Sequence, residues 1–385
     1  MKWEKIEISN ISKVISGYAF KSKDFKPIGI PVIKIKNIKD ENIVLNESDC
    51  VDSAIEVPLR FHLNKGDILI SLTGSHITLP SSVVGRVAKY RHETISYLNQ
   101  RVGKFINIDN KKCYSDYLYY FLLQKETLTK IANKAQGAAN QANISPGDVE
   151  GVEINLPPLP TQRRIASILS AYDDLIENNL RRIKLLEEKA EMRYKEIVRS
   201  EKLEEFTIED LANIVMGQSP PSNTYTEERT ENLPFHQGVS NFSNYFVEHK
   251  TFCNDPIKIA DAGDILFSVR APVGRINYTN DKICIGRGLC AFRSKKGFQN
   301  YFYHQLKEFF YTEDVIGNGA IFNAVTKVEL MKVKLKTPSE KVQKEFEAEA
   351  QQMYDLILNL TKQNSKLREA RDILLPRLMS GEIEV

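Results

Sequence analysis

The chain is poor in cysteine and has no paired motif to use it. Five cysteines occur in 385 residues, Cys50, Cys113, Cys253, Cys284 and Cys290. The count is odd and no C-x-x-C is present, which speaks against a disulfide framework or a thiolate metal knuckle. No charged leader followed by an apolar stretch opens the chain. No apolar run reaches the roughly 18 residues that a membrane span needs. The expectation is a cytoplasmic protein with free thiols and no membrane partner. Net charge is only +3, too mild to announce a polyanionic partner, so any basic surface must come from local clustering. The six histidines are scattered and form no H-E-x-x-H, so no metal site is expected. No G-x-x-x-x-G-K-[ST] loop cradles a phosphate, and no G-x-S-x-G elbow presents a nucleophile. Leu156-Pro157-Pro158-Leu159 lacks the polar first residue and closing aromatic of the [DNS]-P-P-[YFW] loop of amino-methylating enzymes. Glu248-His249-Lys250 matches an E-x-K nuclease fragment, but no acidic partner repeats with it. No catalytic residue and no cofactor site in this chain are expected.

What the chain has is a second copy of itself. Ile11–Gly17 returns as Leu211–Gly217, displaced by 200 residues. Gly66-Asp67-Ile68-Leu69 returns as Gly263-Asp264-Ile265-Leu266, displaced by 197, and Val84-Gly85-Arg86-Val87 as Val273-Gly274-Arg275-Ile276, displaced by 189. A helical stretch from Gln162 returns from Gln343, displaced by 181. The order never changes, so one domain-sized unit is used twice. Two like units suit a target that itself has two halves. Content that is 42% hydrophobic and 27% charged is ordinary for a folded chain.

Each unit mixes short β-branched runs, such as Pro31–Lys36 and Asp67–Leu72, with Gly- and Asp-bearing turns. A helix is predicted over Ser115–Lys134, where Leu118, Phe121, Leu122 and Leu128 recur at helical spacing. The texture is α+β, with a mixed, mainly antiparallel sheet. After the stiff Leu156–Pro160 segment, Thr161 is a candidate N-cap. From there to about Ser200 no Gly or Pro occurs. Ile165, Leu169, Tyr172, Ile176, Asn179, Ile183, Leu186, Ala190, Arg193 and Ile197 step by fours and threes, a heptad seam. About 40 residues at 1.5 Å rise make a rod of roughly 60 Å. After Pro338 a second seam runs Phe346, Ala350, Met353, Ile357, Leu360, Asn364, Leu367, Arg371, Leu374 and Leu378, with Pro376 expected to kink or end it. The expected organisation is a first recognition-type unit over 1–158, a helix over 159–202, a second unit over 203–337 and a second helix over 338–385. If the helices pair antiparallel, the fifth seam residue of one meets the sixth of the other. Asn179 and Asn364 are then expected to share one polar layer that sets the register.

The loops repeat binding chemistry. Arg86 and Arg275 each follow a Val-Gly pair; glycine permits close backbone approach and arginine offers a forked donor. Gln100 and Arg101 correspond to the stretch holding Arg287. Lys34, Lys36 and Asn37 correspond to Gln237, Ser240 and Asn241, and Thr73 with Ser75 to the segment of Arg270. A third loop holding Gln136, Asn140 and Gln141 answers to one holding Asn318 and Asn323. The apolar frame is kept between copies, as in Ile68/Ile265 and Phe105/Phe292. Loop residues keep polarity but change identity, as in Lys34/Gln237 and Gln100/Arg287. That pattern fits two equivalent surfaces that read two different sequences. A solvated loop is the plain alternative for any one of these residues.

The arrangement resembles the DNA specificity subunit of type I restriction–modification systems. The resemblance is carried by Leu156–Ile165 followed by the heptad helix, its degenerate copy Lys336–Gln343, the paired Gly-Asp-Ile-Leu strands and the closing Leu374–Ile383. It implies two tandem target-recognition domains alternating with two long helices that form an antiparallel coiled coil. It further implies a subunit without catalysis that reads a bipartite site in double-stranded DNA. By the same resemblance its helices dock two modification (methyltransferase) subunits, with restriction/translocase subunits joining. S-adenosylmethionine, ATP and Mg2+ belong to those partners. Tyr172, Leu175, Arg181 and Arg182 are candidate partner contacts where they leave the seam. The second copy departs from the pattern, Leu-Pro-Pro-Leu-Pro having become Lys-Thr-Pro-Ser-Glu. A self-contained nuclease or methyltransferase, or a coiled-coil scaffold, are the competing classes. The first two need clustered acids or a cofactor pocket; the last leaves the repeated Arg and Gln loops without a role.

Overall fold

A computed structural model describes residues 3–39, 41–45, 48–75, 84–138, 141–243, 245–312 and 324–385. The chain forms two compact units, Met1–Ile176 with Lys366–Val385, and Glu177–Ser365. Each long helix is divided between the two units.

In the first unit a four-stranded antiparallel sheet has the order Val87–Lys89, Ile68–Ser71, Val102–Ile106, Lys13–Ser16. A five-stranded mixed sheet has the order Phe25–Lys26, Asp49–Val51, Ile30–Ile33, Ser96–Leu98, His62–Leu63, and its third and fourth strands are parallel. The second unit repeats both orders with Ile276–Tyr278, Ile265–Ser268, Leu289–Ser294, Ala212–Met216 and with Tyr225–Thr226, Phe252–Cys253, Leu233–His236, Ile283–Ile285, Ile259–Ala260. The parallel pair recurs there too. In each unit a two-stranded ribbon joins the unit's first strand to the strand before the long helix: Glu4–Glu7 with Glu153–Leu156, and Glu204–Thr207 with Lys334–Thr337.

The repeated Ile-Leu run explains the layering. All four residues of Ile68–Ser71 are buried, as are those of Ile265–Ser268. Alternate side chains point to opposite faces of a strand. Ile68 and Ile70 accordingly enter the helix-side core, while Leu69 enters the core between the sheets. Ile265 and Phe267 part from Leu266 in the same way.

Three helix expectations need correcting. The predicted Ser115–Lys134 helix is two, Ser115–Leu123 and Lys125–Ala132, because Gln124 takes an extended ψ of 131°. The break lets Leu118 and Leu122 of one piece and Ile131 of the other enter the same core. The central helix begins at Leu159, so Thr161 is not its cap. Pro160 lies in the first turn, where no backbone N–H is required. Pro376 does not end the C-terminal helix, which runs Glu340–Ser380 and stops at Gly381 with φ 78°.

Both helices are built into the cores. Ile165, Ala166, Leu169, Leu375, Leu378 and Met379 belong to the helix-side core of the first unit. Ile183, Ala190, Ile197, Phe346, Ala350, Ile357 and Leu360 belong to that of the second. Their segments run antiparallel in each unit. In the second, Asn179 Nδ2 donates to Asn364 Oδ1 at 3.0 Å, and Arg193 Nε reaches Glu349 at 3.3 Å. In the first, the buried Arg371 donates to Asp173 Oδ1 at 2.8 Å and to Glu41 at 2.9 Å. Arg91 and Tyr120 donate to the other Asp173 oxygen at 3.0 and 2.8 Å. Asp173 stands one residue off the predicted seam, beside the half-buried Tyr172. Likewise Tyr194, and not Arg193, is fully packed, against Tyr301, His304 and Phe346.

Removing one partner of a buried ion pair costs roughly 3–5 kcal/mol, because the other charge stays buried. Arg371→Met should lower the unfolding free energy by about that amount, read from the denaturant midpoint at constant slope; an unchanged midpoint contradicts the buried network. Burial, aided by the Lys307 charge, pushes the His304 imidazole down to about 3 from 6.5. On acidification the unfolded chain takes up this proton first, so the stability carried by neutral His304 is present above pH 6.5 and drains as pH falls towards 3. The stability gap between wild type and His304→Gln should therefore narrow between pH 7 and pH 4; a gap constant over that range contradicts a neutral, buried His304.

Candidate nucleic-acid interface

The two units build the same rim at one end of their sheets. Ser71 closes a strand, and its carbonyl accepts the Gly85 N–H while its hydroxyl accepts the Arg86 N–H, both at 2.9 Å. Ser268 does the same for Gly274 at 3.0 Å and Arg275 at 2.8 Å. Gly85 and Gly274 have φ of 78° and 87°, the left-handed region that favours glycine. The turn chemistry of the repeated Val-Gly-Arg thus fixes where each arginine leaves the sheet. One residue on, Leu72 N–H bonds Arg101 O and Val269 N–H bonds Gly288 O, each at 2.9 Å. The carbonyls of Leu72 and Val269 then accept Ile144 N–H and Val325 N–H, each at 2.9 Å, tying in the third repeated loop.

A further constraint sits at Gly17 and Gly217. A Cβ there would lie 2.3 Å from Leu98 O and 2.1 Å from Gly286 O, so only glycine lets this strand end pass the loop beside it. Tyr18 N–H bonds Leu98 O at 2.8 Å, and Gln218 N–H bonds Ile285 O at 3.0 Å. These bonds bring the 17–19 and 217–219 segments beside the loops of Gln100 and Arg287.

The first rim holds Arg86, Gln100 and Arg101, the latter two exposed. Arg86 and Arg101 form no ion pair among the described residues. Lys34 and Lys36 converge on Asp49 at 2.8 and 3.1 Å, and Lys34 lies 3.4 Å from the Phe25 ring centre. The Lys34 hydrogen bond, with that of Lys36, holds the Asp49 carboxyl below its usual range. Asn37 stands apart from the expectation for it. It is fully buried, accepts from Lys34 N–H at 2.9 Å and donates to Val44 O and Ser48 Oγ, so its amide shapes the turn and is spent inside the fold. Thr73 is also buried and donates to Asn143 at 2.9 Å. Ser75 follows it on the same edge, and Gln136 is exposed at the start of a strand that pairs with Gln141–Asn143. Asn140 lies outside the described residues, as do Asn318 and Asn323 of the second unit.

In the second rim, Gln237, Ser240, Arg270, Arg275 and Arg287 are exposed and Asn241 is half-buried. Gly286 N–H bonds His236 O and Gly288 N–H bonds Gln237 O, at 2.8 and 3.1 Å, which brings the Gln237 turn against the Arg287 loop. Ser219 was not among the predicted residues. Its hydroxyl donates to Gln237 Oε1 at 2.7 Å and accepts Arg287 N–H at 3.2 Å. The sequence carried no signal for it, since Ala19 stands at the matching place two residues after Gly17. Arg270 and Arg287 form no ion pair among the described residues. On the helices, Leu175, Arg181 and Arg182 are exposed, and Arg181 bonds Glu177. Glu248 and Lys250 of the E-x-K fragment pair with each other at 3.7 Å on the surface. No group of three or more potential metal ligands occurs among the described residues, and none of their helices is long and apolar enough to cross a membrane.

Comparison with known proteins agrees with this doubled architecture. The family model described as the type I restriction modification DNA specificity domain matches residues 1–188 and 200–368. A putative type I restriction enzyme MjaX specificity subunit from Methanocaldococcus jannaschii is 31% identical, over 100% of this chain and 94% of that protein. The MjaIX specificity subunit of the same organism is 24% identical over the same shares. The solved structure of a type I restriction–modification S subunit from M. genitalium superposes with a TM-score of 0.60 at 18% identity, covering 98% of this chain and 96% of that one. The chain belongs to the type I restriction–modification DNA specificity family, as a specificity subunit with two recognition domains.

A Cβ driven into backbone leaves no flexible neighbour to yield, and overpacking of this kind costs about 1–3 kcal/mol. Gly217→Ala should lower Tm and displace the Arg287 loop, and Gly17→Ala should act on the Gln100 loop. Amide hydrogen exchange should locate each effect in its own unit; protection equal to wild type at both loops contradicts the close approach.

Proposed function

We propose that each unit reads one half of a bipartite double-stranded DNA site through its rim, and that the chain itself performs no catalysis. The observation that carries this reading is the paired backbone clamp at Ser71/Arg86 and Ser268/Arg275, which holds arginines alike while the side chains around them differ. Geometry kept twice with chemistry changed once suits a target whose halves differ. Arginine offers a fork for guanine edges or phosphates, and glutamine offers a donor and an acceptor. The residues proposed to face DNA are Lys34, Lys36, Arg86, Gln100, Arg101 and Gln136 in the first unit. In the second they are Gln237, Ser240, Asn241, Arg270, Arg275 and Arg287.

The long helices are proposed to dock two modification subunits, with Tyr172, Leu175, Arg181 and Arg182 at the contact, and restriction subunits join that assembly. The methyl donor S-adenosylmethionine, and ATP with Mg2+, belong to those partners in this reading. The assembly works in the cytoplasm, where its DNA is.

The chain assembled with modification subunits should bind duplex DNA with a steep negative slope of log affinity against log salt, as several released counterions require. Arg86→Ala should relax selection in one half-site and Arg275→Ala in the other, read by selection from a randomised duplex library. A flat salt slope overturns the DNA-reading proposal. Equal weakening on all sequences makes that arginine a phosphate contact.

A further inference from the structure

The cluster of Ser219, Gln237 and Arg287 is one-sided in its chemistry. Arg287 N–H donates to Ser219 Oγ at 3.2 Å, and the Ser219 hydroxyl donates to Gln237 Oε1 at 2.7 Å. One lone pair of the Gln237 amide oxygen is thereby engaged inside the protein, which fixes which end of the amide is which. Its Nε2 has no partner among the described residues, and the side chain is exposed. Glutamine is both donor and acceptor, and here the donor end is the one left without a partner. Arg287, whose backbone N–H bonds the same serine, is exposed, forms no ion pair among the described residues, and its guanidinium can only donate.

The bed under Gln237 is glycine for a physical reason. A Cβ at Gly286 would lie 2.6 Å from Gln237 Oε1, and one at Gly288 2.5 Å from the Gln237 carbonyl oxygen. In the first unit the matching positions are Asn99 and Arg101, with Ala19 for Ser219 and Lys34 for Gln237. The equivalence follows from strand register, Leu98 facing Ile33 as Ile285 faces His236. There Lys34 turns to Asp49 and Phe25, so the device exists in the second unit alone.

We infer that Ser219 is a positioning residue that holds the Gln237 amide by its oxygen and leaves the Nε2 donor for a ligand, and that Gln237 and Arg287 together select guanine in the half-site read by the second unit. Among the bases, guanine alone presents two acceptors, N7 and O6, with no donor on its major-groove edge. Adenine adds an N6 donor that would oppose both side chains, thymine offers one acceptor, and cytosine a donor. The inference rests on the DNA-reading proposal and deepens it.

The test is selection from a randomised duplex library by the chain assembled with its modification subunits. The wild-type complex should select guanine at one position of one half-site. Ser219→Ala frees the Gln237 amide to flip, and guanine preference at that position should fall about tenfold while the rest of the motif stands. Gln237→Glu replaces the donor by an acceptor and should move preference at that position to cytosine, whose N4 donates. Guanine preference unchanged in both variants overturns the inference. Uniform weakening on every sequence also overturns it, since a phosphate contact would do that. A wild-type complex that selects no motif fails the DNA-reading proposal itself, which is a different result.

Discussion

Antiparallel pairing of the two long helices is the constraint on which each unit depends. The helices supply a wall of the helix-side core of each unit, so a shift in their register would move side chains of both those cores. Apolar seams alone tolerate slippage by a heptad. Polar layers do not, because an amide or a charge left without its partner in the interior is costly. The second unit has such a layer in Asn179 and Asn364. The first has a charged one, centred on the buried pair of Asp173 and Arg371 and joined by the partly exposed Glu41 and Arg91.

The start of each helix is fixed by one buried glutamine. Gln162 Nε2 donates to Pro157 O at 2.8 Å, and Gln343 Nε2 to Pro338 O at 3.0 Å. Gln162 also accepts from Tyr114 N–H and donates to Lys112 O, stitching the helix to the domain before it. The degenerate second copy of the proline-rich segment retains this bond. What it lost is the apolar flanking chemistry, and the helix start survives because the amide and not the proline run holds it.

The same economy governs the rims. Serine hydroxyl, glycine φ and a carbonyl pair place each arginine by backbone geometry, which side-chain drift does not disturb. Side chains are then free to differ. Lys34 finds Asp49 and an aromatic face, whereas its counterpart Gln237 lies on two glycines and is oriented by Ser219.

Much of this was legible in the residues alone. The repeat displaced from 200 to 181, the heptad steps and the Gly-Asp-Ile-Leu strands specify two α+β units and two long helices, because periodicity and turn chemistry are local. The positions of Arg86 and Arg275 in matching turns followed from the same repetition. Three things required the tertiary structure. Asn37 looked like a reader, yet it is an internal brace, since burial depends on what the chain folds over it. Asp173 and Tyr194 sit one step off the ideal seam because charge and aromatic partners from other elements pulled the packing toward them. Ser219 became visible only when residues 18 and 68 positions away closed on it. The sequence by itself determined the frame and its duplication; only tertiary contact decided which polar groups are spent within the protein and which face outward, because that depends on partners distant along the chain.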